Sequence, residues 1–288
     1  MTTRDRTTLG VGIHDDVPED VYHGDTGSLS STFIRLLTEH VPAKARARAN
    51  RPATKAMNLG KAVHQRALGK GPELIVWQHD GRTNAGKEER AHYAADIAAE
   101  KVVAVTQTEL DKIDAMVLAL YKHAEVVDIL TTSRTEATVY WMEGDIWGRA
   151  RVDLLGDEQA WDYKTTADAS RAGFQKAMAA YGYHQQADWY TRGLKACGHP
   201  AGSKPMRFIC QETEPPYLVQ IHTPDDVARL TAKELNDRAV RLYQTSTAAN
   251  QWAGYEPLHA EETPLPGYYF WSHEDHLTNI LGTDMEIN

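Results

Sequence analysis

The stretch from Gly148 to Lys164 constrains this chain most, because it sets an acid, a second acid and a lysine on two adjacent strand-like runs. From Ile146 to Leu155 the residues alternate. Trp147, Arg149, Arg151 and Asp153 fall on one face, and Ile146, Gly148, Ala150, Val152 and Leu154 on the other. Gly156, Asp157 and Glu158 supply a turn. In the run that follows, Asp162 and Lys164 stand two apart and share a face from which Tyr163 points away. Pairing of the two runs as a hairpin sets Asp153 beside Asp162, and two carboxylates so placed repel unless a hard cation lies between them. Mg²⁺ or Mn²⁺ suits the donors: Asp153, Asp162 and the backbone carbonyl of Tyr163 are a sufficient protein shell for an octahedral ion that keeps several waters. The remaining positions fall to a phosphate and a water. Lys164 is then placed to hold a non-bridging phosphate oxygen or to orient the attacking water. The chemistry implied is metal-assisted phosphodiester hydrolysis.

An Asp-x-Lys on a strand is a short motif, and its company makes it specific. Val17–His23, Gly27–Leu37, Ala56–His64, Arg82–Lys87, Asp162–Thr166 and Tyr183–Tyr190, in that order, resemble the PD-(D/E)XK nuclease superfamily. Within it the likeness is to phage and prophage exonucleases of the exodeoxyribonuclease VIII (RecE) type, relatives of lambda exonuclease. It fades after about residue 225, and it departs from the usual pattern in having Asp162 where many relatives carry Glu.

The resemblance implies an α/β fold of the α+β type: a mixed central sheet flanked by helices, preceded by a helical N-terminal portion. It also implies roles. Gln186 and Tyr190 match the Q-x-x-x-Y motif of RecB-type nucleases, whose side chains place the scissile phosphate or the DNA strand, with Tyr183 one turn earlier on the same face. His64, in a G-x-x-x-H motif, approaches the metal as ligand of a second ion or as hydrogen-bond partner of its water. Glu136 either extends the metal shell or is a strand-end charge. Ser30, Arg35, Arg46 and Arg48 are candidates for holding a DNA end, since a helix N-terminus with nearby guanidinium groups suits a terminal phosphate.

The implied activity is a Mg²⁺- or Mn²⁺-dependent exodeoxyribonuclease. It degrades one strand of double-stranded DNA from the 5′ end and leaves 3′ overhangs for a single-strand annealing protein. A cyclic homo-oligomer, trimer or tetramer, is the assembly the resemblance suggests. The rivals are a RecB-like or CRISPR-associated nuclease of other polarity or endonucleolytic preference, and a catalytically idle DNA-end-binding protein on the same fold. The CRISPR-associated enzymes usually hold an iron–sulfur cluster on four cysteines, and this chain has two, Cys197 and Cys210.

With 42% hydrophobic and 25% charged residues, the chain reads as a globular protein with a substantial core. We expect one domain over 1–288, with 1–13 a flexible leader and 251–288 an irregular tail packed on the body. Two cysteines make neither a disulfide framework nor a cysteine zinc site. No apolar leader and no run of 18 apolar residues occurs, so the expectation is a cytoplasmic protein (host cytoplasm for a phage-encoded chain) without membrane contact. The net charge of −9 opposes a general nucleic-acid coat. Arg35, Lys44, Arg46, Arg48, Arg51, Lys55 and Lys61 gather positive charge in one segment, and local fields outweigh net charge.

Periodicity and caps predict the other elements. Asp15–Gly27 reads as loop. Ser30 or Ser31 caps a helix bearing Phe33, Ile34, Leu36 and Leu37, and Asn58 caps one bearing Val63, His64 and Leu68. A strand at Leu74–Trp77, a helix over Lys87–Lys101 and a helix from Gln107 to about Leu130 follow, the last opened by a Thr106/Glu109 capping box. Strands are expected at Glu136–Met142, Ile146–Leu155, Ala160–Lys164, Met206–Gln211 and Tyr217–His222. Helices are expected from Asp168 or Ser170 to Ala196, interrupted at Gly182, and from Thr223 and Pro224 to about Tyr243.

Overall fold

In the computed structural model, which describes residues 6–48, 55–255 and 263–266, the hairpin around Asp145 is the spine of the sheet. β5 (Arg134–Glu143) and β6 (Ile146–Leu155) pair antiparallel along their whole length, with Thr138 opposite Arg151 and Trp141 opposite Gly148. β7 (Ala160–Thr166) meets β6 only at Leu154–Trp161 and Leu155–Ala160, then runs parallel to β8 (Arg207–Glu212). The two strands part there, and Asp153 and Asp162 are the next residues past the fork. At the other end of the same β6 edge, β2 (Ser28–Leu29) pairs parallel with Trp147 and Gly148. The edge of β6 between these two partners carries Arg149, Arg151 and Asp153. β1 (Gly12–His14) extends the sheet beyond β5 and β9 (Val219–His222) beyond β8, giving the mixed order β1-β5-β6-β7-β8-β9.

Two cores flank this sheet, and the alternation of β8 divides them. Phe208 and Cys210 enter one with α3 (Ser31–Glu39), α10 (Tyr183–Ala196) and α11 (Asp226–Ala248); Ile209 enters the other with α5 (Lys55–Leu68), α7 (Gln107–Leu120) and α8 (Ala124–Thr132). Helix α10 sits unusually close to the sheet because it meets Trp141 through Gly193. A Cβ at Gly193 would stand 2.6 Å from that indole, and one at Gly148 on its opposite side 2.4 Å. Trp189 of α10 also donates its indole N–H to the carbonyl of Arg149 at 3.1 Å. These contacts set the height at which α10 presents Gln186 to the fork.

Several expectations are corrected. The leader reaches less far than residue 13, because Gly12–His14 joins the sheet after a short α1 (Arg6–Leu9). The loop expected over Asp15–Gly27 holds α2 (Glu19–Gly24), whose first turn carries Glu19 and Asp20, the charge a helix N-terminus favours. Asn58 lies inside α5 rather than capping it. The helix expected through Leu130 breaks at Tyr121–His123 into α7 and α8. Asp225, whose carboxylate accepts the amide of Ala228 at 2.8 Å, caps α11 in place of Thr223. β3 (Glu73–Val76) pairs parallel with β4 (Val102–Val105) in a separate small sheet joined by α6 (Asn84–Ala98), and the sequence reading missed β4. α4 (Pro42–Arg48) begins at Pro42, and of the two expected openers Asp168 and Ser170 it is Ser170 that caps α9 (Arg171–Tyr181).

The chain divides into two compact units, 1–254 and 255–288. Trp252, in the first, packs against Phe33 and Tyr243. The rest of the expected tail falls mostly outside the described residues, and 263–266 form neither helix nor strand. Among the described residues no helix is long and apolar enough to cross a membrane.

Candidate active site

Three strands and two helices converge at the fork. Glu136 of β5 stands across from Asp153 of β6, between the pairs Thr135–Leu154 and Ala137–Val152. His64 of α5 lies over both, with Nε2 2.9 Å from Asp153 Oδ2 and Nδ1 3.2 Å from Glu136 Oε1. One donor atom from each of these three side chains falls within 4.8 Å of the others. With both ring nitrogens facing carboxylate oxygens, His64 is a doubly protonated imidazolium here. Burial alone would depress its pKa, but Asp153 and Glu136 outweigh it and hold the ring up at about 9. Glu136 is pushed up to about 7 by burial, with Asp153 adding to the shift. Burial would raise Asp153 too, yet His64 keeps it below the usual carboxylate range.

Glu136 also carries backbone strain. Its φ of 54° is left-handed, a conformation that costs a non-glycine residue roughly 1–2 kcal/mol. Such an outlier in a strand persists where the surroundings hold it, and His64 and Arg151 do so here, the latter with Nε 3.8 Å from Glu136 Oε2. Arg151 in turn ties the N-terminal segment to the site. It meets Glu19 Oε1 at 2.5 Å, donates to the carbonyl of Val17 at 2.8 Å, and lies 4.1 Å from the Tyr22 ring centroid. The Val17–His23 motif thus covers the arginine face of β6. Sequence reading placed Arg151 on the face of Asp153 but gave it no role; its alternation with that acid was the available signal.

Asp162 is 1% exposed. Its Oδ1 accepts from Gln186 Nε2 at 2.6 Å. Its Oδ2 forms a 2.5 Å ion pair with Lys164 Nζ, but the direction is wrong for a hydrogen bond and this buried oxygen has no other partner. Burial, reinforced by Asp153, pushes the carboxyl up to about 6. Lys164 is held protonated above its ordinary range: burial opposes its charge, but Asp162 and Asp153 prevail. In this setting its side chain is an ammonium. Tyr163 donates its amide to Asp153 Oδ2 at 2.8 Å and its hydroxyl to the buried Gln211.

A divalent ion fits these residues on two observations. Oxygen donors predominate in the His64, Glu136 and Asp153 cluster, as Mg²⁺ and Mn²⁺ prefer, and the buried Asp162 Oδ2, beside the Lys164 ammonium, makes no hydrogen bond. His64, Lys164 and Arg151 face the three acids. His64 can ligate only after giving up a proton.

The other sequence candidates are distributed unevenly. Tyr190 is 8% exposed, has the Gln186 side chain as hydrogen-bond partner and feels the charges of Asp162 and Asp153. Tyr183 stacks on Phe174 and Phe208 with Lys164 Nζ 5.0 Å from its centroid. Ser30 caps α3 by accepting the amide of Phe33. Arg35 pairs with Glu39 at 2.8 Å. Arg46 lies over Trp252 and Arg48 bonds to His40. Lys61 pairs with Glu100, so with Arg35 two members of the expected basic segment are met by acids, while Arg46 and Arg48 face an indole and an imidazole. Arg51 lies outside the described residues.

A family model described as a PDDEXK-like domain of unknown function (DUF3799) matches residues 30–255. The chain belongs to this family. The matched span includes the fork and every residue converging on it. No curated protein matches the chain. Among solved structures, that of a candidate exonuclease from Eubacterium rectale is similar, with 9% identity and a TM-score of 0.56 over 84% of this chain and 92% of that one. At that identity the likeness is one of fold. A second, SSO0001, covers 82% of this chain and 99% of its own at 13% identity, but its TM-score of 0.27 carries no argument.

The hydrogen-bond order makes Gln186 and Tyr190 separable. A bond to a charged carboxylate is worth about 1.5–3 kcal/mol and a neutral one about 0.5–1.5. Gln186→Ala should therefore lower turnover by about 10- to 100-fold, and Tyr190→Phe by no more than about tenfold. Steady-state kinetics of the two variants checks the order; a larger loss in Tyr190→Phe reverses it.

Proposed function

We propose that this protein is a Mg²⁺- or Mn²⁺-dependent exodeoxyribonuclease that hydrolyses one strand of double-stranded DNA from its 5′ end, leaving 3′ overhangs. The observation that carries the hydrolytic part is the convergence of Asp153, Asp162 and Lys164 at the fork, with His64 and Glu136 beside them. Family membership and the exonuclease-like fold support it. Polarity and the overhang rest on the RecE-type resemblance of the motifs.

Asp153, Asp162 and Glu136 would hold the ion, with His64 and the Tyr163 carbonyl as further donors. When bound, the ion supplies Lewis acidity and an activated water. Lys164 offers a fixed positive charge to the phosphate oxygens as negative charge grows on them. Gln186, bonded to Asp162, fixes the orientation of that carboxylate, and Tyr190 fixes Gln186. A single-strand annealing partner and a cyclic trimer or tetramer belong to the same proposal.

Linear duplex labelled separately at each 5′ and 3′ end tests it. With Mg²⁺ or Mn²⁺ the 5′ label should leave first as mononucleotide, and a chelator should stop the release. Early loss of the 3′ label, or cutting of closed circles, overturns the polarity in favour of a RecB-like enzyme. End binding without cleavage in either metal overturns the enzyme in favour of an idle end-binding protein.

A further inference from the structure

We infer that Tyr181 is a stacking contact for an unpaired nucleobase within two or three nucleotides of the scissile phosphate, with Arg35 beside it for a phosphate of the same strand; this rests on the nuclease reading above. Tyr181 ends α9 and is 62% exposed, so its ring serves no core. It lies 5.6 Å from the ring of Tyr183, which is stacked on Phe174 and Phe208. Lys164 Nζ stands 5.0 Å from the centroid of Tyr183. An aromatic row therefore runs from the core beside β8, past the ammonium that would meet the phosphate, and ends in solvent at Tyr181. From that ammonium to the Tyr181 ring is at most about 11 Å, the reach of two or three stacked nucleotides at about 3.4 Å each.

An exposed tyrosine at a helix end is ordinary by itself, and the turn that carries this one is not. Gly182 joins α9 to α10 with φ 68°, and a Cβ there would stand 2.4 Å from Cδ of Arg35. Arg35 is thereby packed against the same turn. The next residues are fixed from behind: the buried Gln185 donates to Thr38 Oγ1 at 3.2 Å and to Asn236 Oδ1 at 3.1 Å, and Asn236 returns a bond to the Gln185 carbonyl at 2.9 Å. Tyr181 stands on a preorganised support, which lowers the cost of binding through it. The Arg35–Glu39 pair is partly exposed, and such surface pairs are weak enough to exchange for a phosphate. A base inside a duplex has both faces stacked, so a base some nucleotides from the end meets the ring only where the end is frayed or single-stranded.

The experiment uses the full chain and DNA ends carrying 2-aminopurine at the terminal positions, whose fluorescence is quenched by stacking. Binding is followed in Ca²⁺ and cleavage in Mn²⁺. Wild type should quench the probe. Tyr181→Ala should lose the quench and raise KM for ends by about 5- to 100-fold, as expected for one base–aromatic stack, with kcat changed far less. Tyr181→Trp should restore both. Unchanged KM and quench in Tyr181→Ala, in a preparation whose wild type cleaves DNA, overturns the stacking contact and leaves the nuclease reading intact. A raised KM with the quench retained also overturns stacking. A wild type that neither binds nor cleaves the DNA overturns the nuclease reading, and the contact with it.

Discussion

Asp162→Asn should reduce cleavage of duplex DNA by at least about 10³-fold, and Lys164→Ala by about 10²–10³-fold, while both variants keep the native circular dichroism spectrum. Asparagine preserves the shape of Asp162 and its hydrogen bond from Gln186, so the change isolates charge. What it removes is the negative charge on a buried carboxylate whose second oxygen lies 2.5 Å from the Lys164 ammonium and makes no hydrogen bond. Lys164 is different in kind. Its ammonium is kept charged by two acids and cannot accept a proton, so its loss removes electrostatic stabilisation alone. The larger effect therefore belongs to the acid. Near-normal cleavage by Asp162→Asn overturns the assignment of the site. Equal losses in the two variants would mean that Asp162 acts only through Lys164.

Much of this site is written in short-range pattern. Period-two alternation placed Arg149, Arg151 and Asp153 on one face, and the turn after Leu155 brought Asp162 back towards them, as the strand register bears out. The four-residue spacing in α10 gave Gln186 and Tyr190 one face, but spacing does not distinguish a residue that meets the acid from one that supports it. The burial of Tyr190 follows from tertiary packing that spacing within one helix does not encode. The strands missed were too short or too plain for periodicity: β1 has three residues, β2 has two and β4 is a Val-Val-Ala-Val run. The left-handed backbone of Glu136 has no local signature either. It follows from tertiary partners, His64 and Arg151, brought from other elements.

Heating the metal-free protein should show a melting temperature that falls from pH 6 to pH 9, and added Mg²⁺ or Mn²⁺ should raise it by an increment that grows over the same range. Two acids and one base set the sign. The folded pKa values of Asp162 and Glu136, about 6 and about 7, lie above those of the unfolded chain, so the fold favours their neutral forms. The stability this gives is lost as pH rises through those values. His64, raised to about 9, favours the fold fully below about pH 6.5 and loses that contribution as pH passes 9. Asp153 is depressed, so it stays ionised across the window and does not oppose the trend. Metal ligands must be deprotonated, and each proton displaced on binding steepens the rise in affinity by up to about tenfold per pH unit. The carboxyls govern the lower part of the window and His64 the upper. His64→Gln should therefore flatten the increment above pH 7.5 and leave its rise between pH 6 and 7 in place. Differential scanning calorimetry in chelator and in excess metal reads both quantities. An increment independent of pH would place metal binding away from Glu136, Asp162 and His64.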